Sequence, residues 1–318
     1  MRERRAEPAG LVHSALFYRS EQEYLDATVP FIADGLDKGQ PTIVALPEEK
    51  LAAIRDGLGD AAVDVAMTDI TEAGRNPNRL LGLLGAFVAE HPGERVRMVG
   101  EPVWPSRTAD EYPACVRHEA LCNTAFAGNE VTGVCLYDAE QLADTVLFDA
   151  CTTHPLLWRN GTADRSADYA PDAAIARYNQ PLPTSADAAA YTVRSLADLT
   201  GARAFASRYA GWLGLSQAGI ADLQLAVTEL ATNSLQHAKS HCRLAIWQHN
   251  GHLVCQARDR GRFDDPMAGH RLPPGNAITG RGLFLVNTIA DLVRTHAAEA
   301  GTTIQAYFRL TPSPVMVN

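Results

Sequence analysis

The sequence predicts two domains: an α/β domain with a mostly parallel sheet, then an α+β sandwich with helices on one face of its sheet. Three observations carry this. A chain of 318 residues is long for one domain and leaves each of two enough residues for a core. Up to about residue 158, short β-rich runs alternate with helical stretches, the pattern of strands joined by helical crossovers. After residue 190 the order changes, and two helices precede the strands. Between them, residues 159–190 are rich in Ala, Asp and Pro, include "QPLP", and lack sustained periodicity. They read as a linker with a short helix around 172–178.

In the first domain, "HSALFY" (13–18) reads as a strand and "EQEYLDATVPFIADGLDKG" (21–39) as a helix interrupted near Pro30. "PTIVALP" (41–47) is a buried strand, "EKLAAIRDGLG" (49–59) a helix and "VDVAMTD" (63–69) a strand. "RLLGLLGAFVAEH" (79–91) is helical, "RVRMVGEP" (95–102) extended, "YPACVRHEALCNTAF" (112–126) helical and "VTGVCLYD" (131–138) extended. In such sheets ligands favour the carboxyl ends of the strands. The second domain opens with helices over 195–215 and 216–238, the latter with Ser216 as N-cap. Two alternating strands in "HCRLAIWQHNGHLVCQARDRG" join at Asn250-Gly251, a dipeptide suited to tight hairpins. A Gly-rich loop, a helix from about Gly282 to Ala290 and strands in "DLVRTHA" and "TTIQAYFRL" complete a mixed sheet.

Composition narrows the function. An apolar fraction of 46% and a charged fraction of 20% describe an ordinary globular protein. A net charge of −9 argues against direct nucleic-acid binding or attachment to an anionic membrane. No apolar run approaches the ~20 residues that span a bilayer, and no signal-peptide core follows "MRERRAEPAG". A cytoplasmic location is expected. The six cysteines (Cys115, Cys122, Cys135, Cys151, Cys242, Cys255) are scattered without the grouping of a metal cluster or disulfide framework, so reduced, buried thiols are expected.

The chemistry concentrates in "ELATNSLQH". Glu229, Asn233 and His237 fall at i, i+4 and i+8, on a face beside the apolar stripe of Leu223, Val227, Leu230 and Ser234 or Leu235. Standing alone, that stripe would read as a solvated face. Downstream, however, "ARDRGRFDDP" (257–266) ends a strand in Asp259 with Gly261 next but one. "TGRGLFLVN" (279–287) then opens an apolar helix with Gly280-Arg281-Gly282. Glycines at a helix N-terminus leave backbone N–H groups free for an anion. The three features in this order are far more specific than any one of them.

Over roughly 190–311 the sequence resembles the Bergerat-type ATP-binding domain of histidine kinases and gyrase-type ATPases, and most of all the anti-sigma-factor serine kinases. "ELATNSLQHA" is similar to their Asn-containing box, "DRGRF" to the Asp-x-Gly box and "TGRGLFLV" to the Gly-x-Gly box. The resemblance implies that Asn233 holds the Mg²⁺ of Mg-ATP and that Glu229 activates the attacking group. It further implies that Asp259 accepts the adenine amino hydrogen, that Gly261 lets the base come close, and that Gly280, Arg281 and Gly282 line the phosphates. His237 matches a frequent box residue, with packing as open to it as catalysis. The lid, about 264–279, is short, which suits the anti-sigma subgroup. A sensor histidine kinase also needs a phosphoacceptor His on a helix hairpin; only "RHEALCN", with His118, is a candidate, and it lacks the usual Pro.

"HSALFYRSEQEYL", "VGEPVW", "HEALCN" and "CLYD" resemble the MEDS-type sensory domain of methanogen, methylotroph and dichloromethane regulators, a relative of RecA-like ATPases. The early strands lack a phosphate-binding Gly-x-x-x-x-Gly-Lys-Ser/Thr loop, so nucleotide hydrolysis is not expected there. His13, Tyr18, Glu101, Trp104, Glu119, Asn123, Tyr137 and Asp138 are candidates for a sensory pocket at the strand carboxyl ends, or are structural caps. His13 and Glu101 could bind a metal but lack a third spaced ligand. The expected organisation is a sensory domain at 1–158, a linker at 159–190, an ATPase domain at 191–311 and a tail at 312–318. The expected function is a regulator that senses a small molecule or partner and uses Mg-ATP as an anti-sigma-type serine/threonine kinase. Its partners would be a sigma factor or a STAS-type antagonist, and it would form a homodimer. A nonenzymatic ATP-dependent switch and an atypical histidine kinase are the alternatives.

Overall fold

The computed structural model describes residues 9–159, 162–271 and 280–310. The expected tail, and the lid beyond Arg271, lie outside the described residues. The chain divides into two compact units, Met1–Tyr178 and Asn179–Asn318.

In chain order the first unit contains β1 (Val12–Tyr18), α1 (Glu21–Asp37), β2 (Thr42–Leu46), α2 (Glu48–Leu58), β3 (Ala66–Asp69), α3 (Ile70–Ala73) and α4 (Pro77–Glu90). Then follow β4 (Val96–Gly100), α5 (Tyr112–Ala125), β5 (Val131–Asp138), α6 (Asp144–Thr153), β6 (Leu156–Arg159), β7 (Thr162–Arg165) and α7 (Pro171–Tyr178). The strands form one sheet in the order β3-β2-β4-β5-β1-β6-β7. Every pairing is parallel except the β6–β7 hairpin. A parallel sheet is covered on both faces, and β2 is buried along its whole length. Alternation along β1 sends Leu16 into a core with Ile32, Leu51 and Ile54 of α1 and α2. Ala15 points the other way, toward Cys115 and Ala150 of α5 and α6.

Local chemistry sets the helix starts. Ser20 caps α1, its hydroxyl accepting from the Glu23 amide at 3.2 Å, and Asn76 caps α4 with Pro77 in the first turn. The interruption expected near Pro30 does not occur: α1 runs through it. The proline removes one backbone bond, but Tyr24, Thr28, Phe31 and Ile32 are buried on either side, so packing outweighs the missing bond.

The second unit contains β8 (Ala189–Val193), α8 (Leu199–Trp212), α9 (Gln217–Gln236), β9 (Cys242–His249), β10 (His252–Asp259), α10 (Gly282–Ile289), β11 (Leu292–Ala298) and β12 (Gly301–Arg309). Its sheet, β11-β12-β10-β9-β8, is antiparallel throughout rather than mixed. Helices cover one face: Leu223, Ala226, Val227 and Leu230 of α9 pack on Leu244, Ile246, Leu253, Cys255 and Ile304. Ser216 caps α9 by accepting from the Gly219 amide at 3.0 Å. Asn250 and Gly251 both adopt positive φ, 45° and 74°, as a two-residue hairpin of matching twist requires.

Residues 159–190 hold more structure than a linker. Strand β7 pairs with β6, and α7 belongs to the first unit, where the buried Asp149 accepts from Tyr112, Arg177 and Tyr178. From Asn179 the chain lies on the second unit's sheet. Asn179 exchanges two hydrogen bonds with the Ala297 backbone, Gln305 Nε2 donates to the Pro183 carbonyl at 3.0 Å, and Gln256 Nε2 donates to Thr184 at 2.6 Å. Strand β8 then begins at Ala189 and pairs with β9. Helix α7 is the one expected around 172–178; β7 and the 179–184 run were hidden because their residues are exposed or held by polar bonds rather than an apolar stripe.

Candidate functional site

Helix α9 places Glu229 and Asn233 on one half-buried face, beside the buried Val227, Leu230 and Ser234. Among the described residues, neither the Glu229 carboxylate nor the Asn233 carboxamide has a side-chain hydrogen-bond partner. The first turn of α10 lies directly against them. A Cβ built on Gly282 would collide with Glu229 Oε2 and stand 3.5 Å from Asn233 Nδ2, so only glycine allows the approach. Gly280, with φ of 89°, takes the left-handed turn that delivers the chain into α10. Arg281 is exposed at the helix start.

The end of β10 supplies the other wall. Asp259 Oδ1 accepts from the Gly261 amide at 2.7 Å, and Oδ2 accepts from the Ser234 hydroxyl at 2.6 Å. Each carboxylate oxygen keeps a lone pair for a further donor. Gly261 abuts Ala238 at the end of α9, where a Cβ would strike both Ala238 carbons, and its carbonyl accepts from Thr302 at 2.8 Å. The three sequence boxes therefore meet in one place: the Glu229 carboxylate and Asn233 carboxamide, the first turn of α10 and the fixed Asp259 carboxylate. His237 is exposed at the end of α9, where its backbone N–H bonds the Asn233 carbonyl. At the start of the lid, Met267 and His270 are buried, and Asn287 of α10 donates to the Gly269 carbonyl at 2.9 Å.

In the first unit the eight pocket candidates separate into groups. Tyr18 donates to Glu101 at 2.8 Å, and Lys50 pairs with the same carboxylate, which is fully buried. Burial pushes the Glu101 carboxyl above its ordinary range against the pull of Lys50. This group sits at the carboxyl ends of β1 and β4, as expected. Asp138 caps the loop after β5, accepting from the Glu140 and Gln141 amides at 3.0 and 3.1 Å. Trp104 stacks on the Arg107 guanidinium, 3.6 Å from its ring centre.

His13 of β1, Tyr137 of β5 and Glu119 and Asn123 of α5 form a separate cluster, with Asn123 half-buried and the other three buried. His13 Nδ1 lies 3.1 Å from Asn123 Oδ1, and Tyr137 donates to Glu119 Oε1 at 2.9 Å. Burial and the neighbouring His154 push the His13 imidazole below its ordinary value. Glu101, which could have joined His13 at a metal, is instead engaged by Lys50 and Tyr18. Between the groups lies a cavity of about 40 Å³, lined by Ile70, Leu80, Met98 and Phe126 and touched by His13, Glu101, His118 and Cys135. His118 is only 3% exposed, which disfavours it as a phosphoacceptor.

Residues 193–308 match the family model of the histidine kinase-like ATPase domain. Residues 12–155 match that of MEDS, the methanogen/methylotroph, DcmR sensory domain. The chain is a MEDS domain followed by a histidine kinase-like ATPase domain. A comparison with curated proteins finds no match. The ATPase-domain family implies ATP binding, and the pairing of domains supports a signalling role. No helix among the described residues is long and apolar enough to cross a membrane. In the ATPase domain, sequence reasoning missed Ser234, placed in the apolar stripe, as the donor that orients Asp259. A hydroxyl on a buried helix face, next to Asn233, was the available signal. In the MEDS domain it missed Lys50, Cys135 and His154, which are far in sequence from the residues they meet.

Proposed function

We propose that the ATPase domain binds Mg-ATP in this cleft and acts as an anti-sigma-type serine/threonine protein kinase under control of the MEDS domain. The observation that carries the reading is the approach of Gly282 to Glu229 and Asn233, which brings a carboxylate and a carboxamide against the first turn of α10. Gly282 and Gly261 let the backbone pack closely on Glu229 and Ala238. Beside Gly280 no atom of the described residues, its chain neighbours aside, lies within 4 Å of where a Cβ would stand, so the turn into α10 is open to a phosphate. Asn233 would ligate Mg²⁺ through its carboxamide oxygen, and Gly280, Arg281 and Gly282 would receive the phosphates. Asp259, fixed by Ser234 and Gly261, would accept from the adenine amino group. Bound Mg²⁺ supplies neutralisation of phosphate charge. Glu229, unpaired and against the α10 terminus, is placed to take the proton of an attacking hydroxyl. A sigma factor or STAS-type antagonist is the proposed partner, a small molecule the proposed signal, and a homodimer the proposed assembly.

The test is incubation of the full chain with labelled ATP and candidate antagonists, with the phosphate then located. Stable label on an antagonist serine or threonine supports the reading. Glu229→Gln should abolish transfer while keeping ATP affinity, and Asn233→Ala should weaken Mg-dependent binding by roughly 10- to 100-fold, the worth of a charge-assisted contact. ATP binding without transfer to any partner would instead favour a nonenzymatic switch, and acid-labile label on the protein itself a histidine kinase.

A further inference from the structure

We propose that the MEDS domain holds a zinc ion between His13 Nε2, His154 Nε2, Cys135 Sγ and Glu119 Oε2. The four residues come from β1, the turn after α6, β5 and α5, and their ligand atoms all lie within 4.8 Å of one another. Four of the six separations are known individually. Glu119 Oε2 lies 3.4 Å from His13 Nε2, 3.3 Å from His154 Nε2 and 3.4 Å from Cys135 Sγ; Cys135 Sγ lies 3.4 Å from His13 Nε2. A tetrahedron with zinc–nitrogen and zinc–oxygen bonds of about 2.0–2.1 Å and a zinc–sulfur bond of about 2.3 Å has edges of roughly 3.3–3.6 Å. The observed spacings already match it.

Hydrogen bonding fixes which ring nitrogens face the centre. Asn123 Nδ2 donates to the Thr153 and Ala120 carbonyls at 2.8 and 3.2 Å, so Asn123 Oδ1 must be the atom facing His13 Nδ1. An amide oxygen only accepts, and His13 Nδ1 therefore carries the hydrogen. His154 Nδ1 lies 2.8 Å from the Ala150 carbonyl and carries its hydrogen for the same reason. Each imidazole thus turns a bare Nε2 toward Glu119, the tautomer that zinc-bound histidines take when the other nitrogen donates to a carbonyl. His154 is fully buried, and its Nε2 has no hydrogen-bond partner among the described residues. Glu119 Oε1 is satisfied by Tyr137, and Oε2 turns inward, 1% of the side chain being exposed. Two ring nitrogens and a carboxylate oxygen converge with the Cys135 thiol, whose S–H reaches Glu119 Oε2 at 3.4 Å as a weak donor; a cation that displaces that proton completes all four. Imidazole and thiolate together select zinc over magnesium or calcium.

The experiment is metal analysis of the full chain, purified without an affinity tag, under reducing conditions. One zinc per chain surviving dialysis is expected. After stripping, Co²⁺ should restore one equivalent and give the thiolate-to-cobalt charge-transfer absorption, a readout on the unaltered protein that no folding defect can mimic. Cys135→Ser should remove that absorption. Asn123→Ala, which frees the His13 ring, should weaken zinc binding by roughly 10- to 100-fold. The proposal is overturned if the stripped protein takes up neither Zn²⁺ nor Co²⁺, the cluster then being filled by protons alone. It is equally overturned if Co²⁺ binds without the sulfur band, or if Cys135→Ser and His154→Gln both retain wild-type zinc affinity.

Discussion

Single atoms decide the chemistry of the ATPase domain. At Gly282 a methyl group would meet the end of the Glu229 side chain rather than backbone, and that side chain can swing away. Gly282→Ala should therefore leave denaturant stability within about 0.5 kcal/mol of the parent yet displace the carboxylate and the helix-end amides, with loss of nucleotide affinity in calorimetry. A large drop in stability with unchanged affinity would contradict the placement. Ser234 acts differently. Its hydroxyl donates to Asp259 at 2.6 Å, a bond to a charged group. Ser234→Ala should cost about 1.5–3 kcal/mol of orientation at that carboxylate, read as roughly 10-fold or more weaker adenine-nucleotide binding, with smaller effect on inorganic phosphate compounds lacking the base.

Among elements, α9 carries the most: one face builds the core through Leu223, Val227 and Leu230, and the next presents Glu229 and Asn233. Its start lies far from both. Ser216→Ala should remove about 1 kcal/mol of stability through the lost cap while nucleotide affinity stays constant, measured by urea unfolding and calorimetry together. This division was legible in the sequence because helical period separates the two sets, and the hairpin at Asn250-Gly251 was legible through its turn chemistry. The elements that were not legible are instructive. α1 continues through Pro30 because its flanks are buried, which only the tertiary structure reveals. Strand β7 and the run from Asn179 to Thr184 carry little apolar patterning, since hydrogen bonds from Gln256, Gln305 and Asn179 fix that run.

At the scale of the whole molecule, groups that lie close together in sequence were legible as groups and those assembled from distant positions were not. Glu229 and Asn233 share a helix turn, and Gly280 to Gly282 are contiguous. His13, Glu119, Cys135 and His154 span almost the whole first unit, and neither spacing nor cysteine grouping could join them. Tyr18 and Glu101 were both named, but Lys50, the cation that ties them, comes from α2. The same distance effect bears on how the protein can be dissected. A fragment ending at residue 158, the sequence-derived boundary, loses β7 and α7, and with them the Arg177 and Tyr178 bonds to Asp149 and the packing of α7 on α5 and α6. Without α7, whose Ala174 is fully buried, the fragment exposes the apolar surface that the helix covers and should express poorly or melt below one ending at Tyr178. For anyone cutting this polypeptide to study its halves, the scissors belong between Tyr178 and Asn179, twenty residues beyond where hydropathy alone would put them.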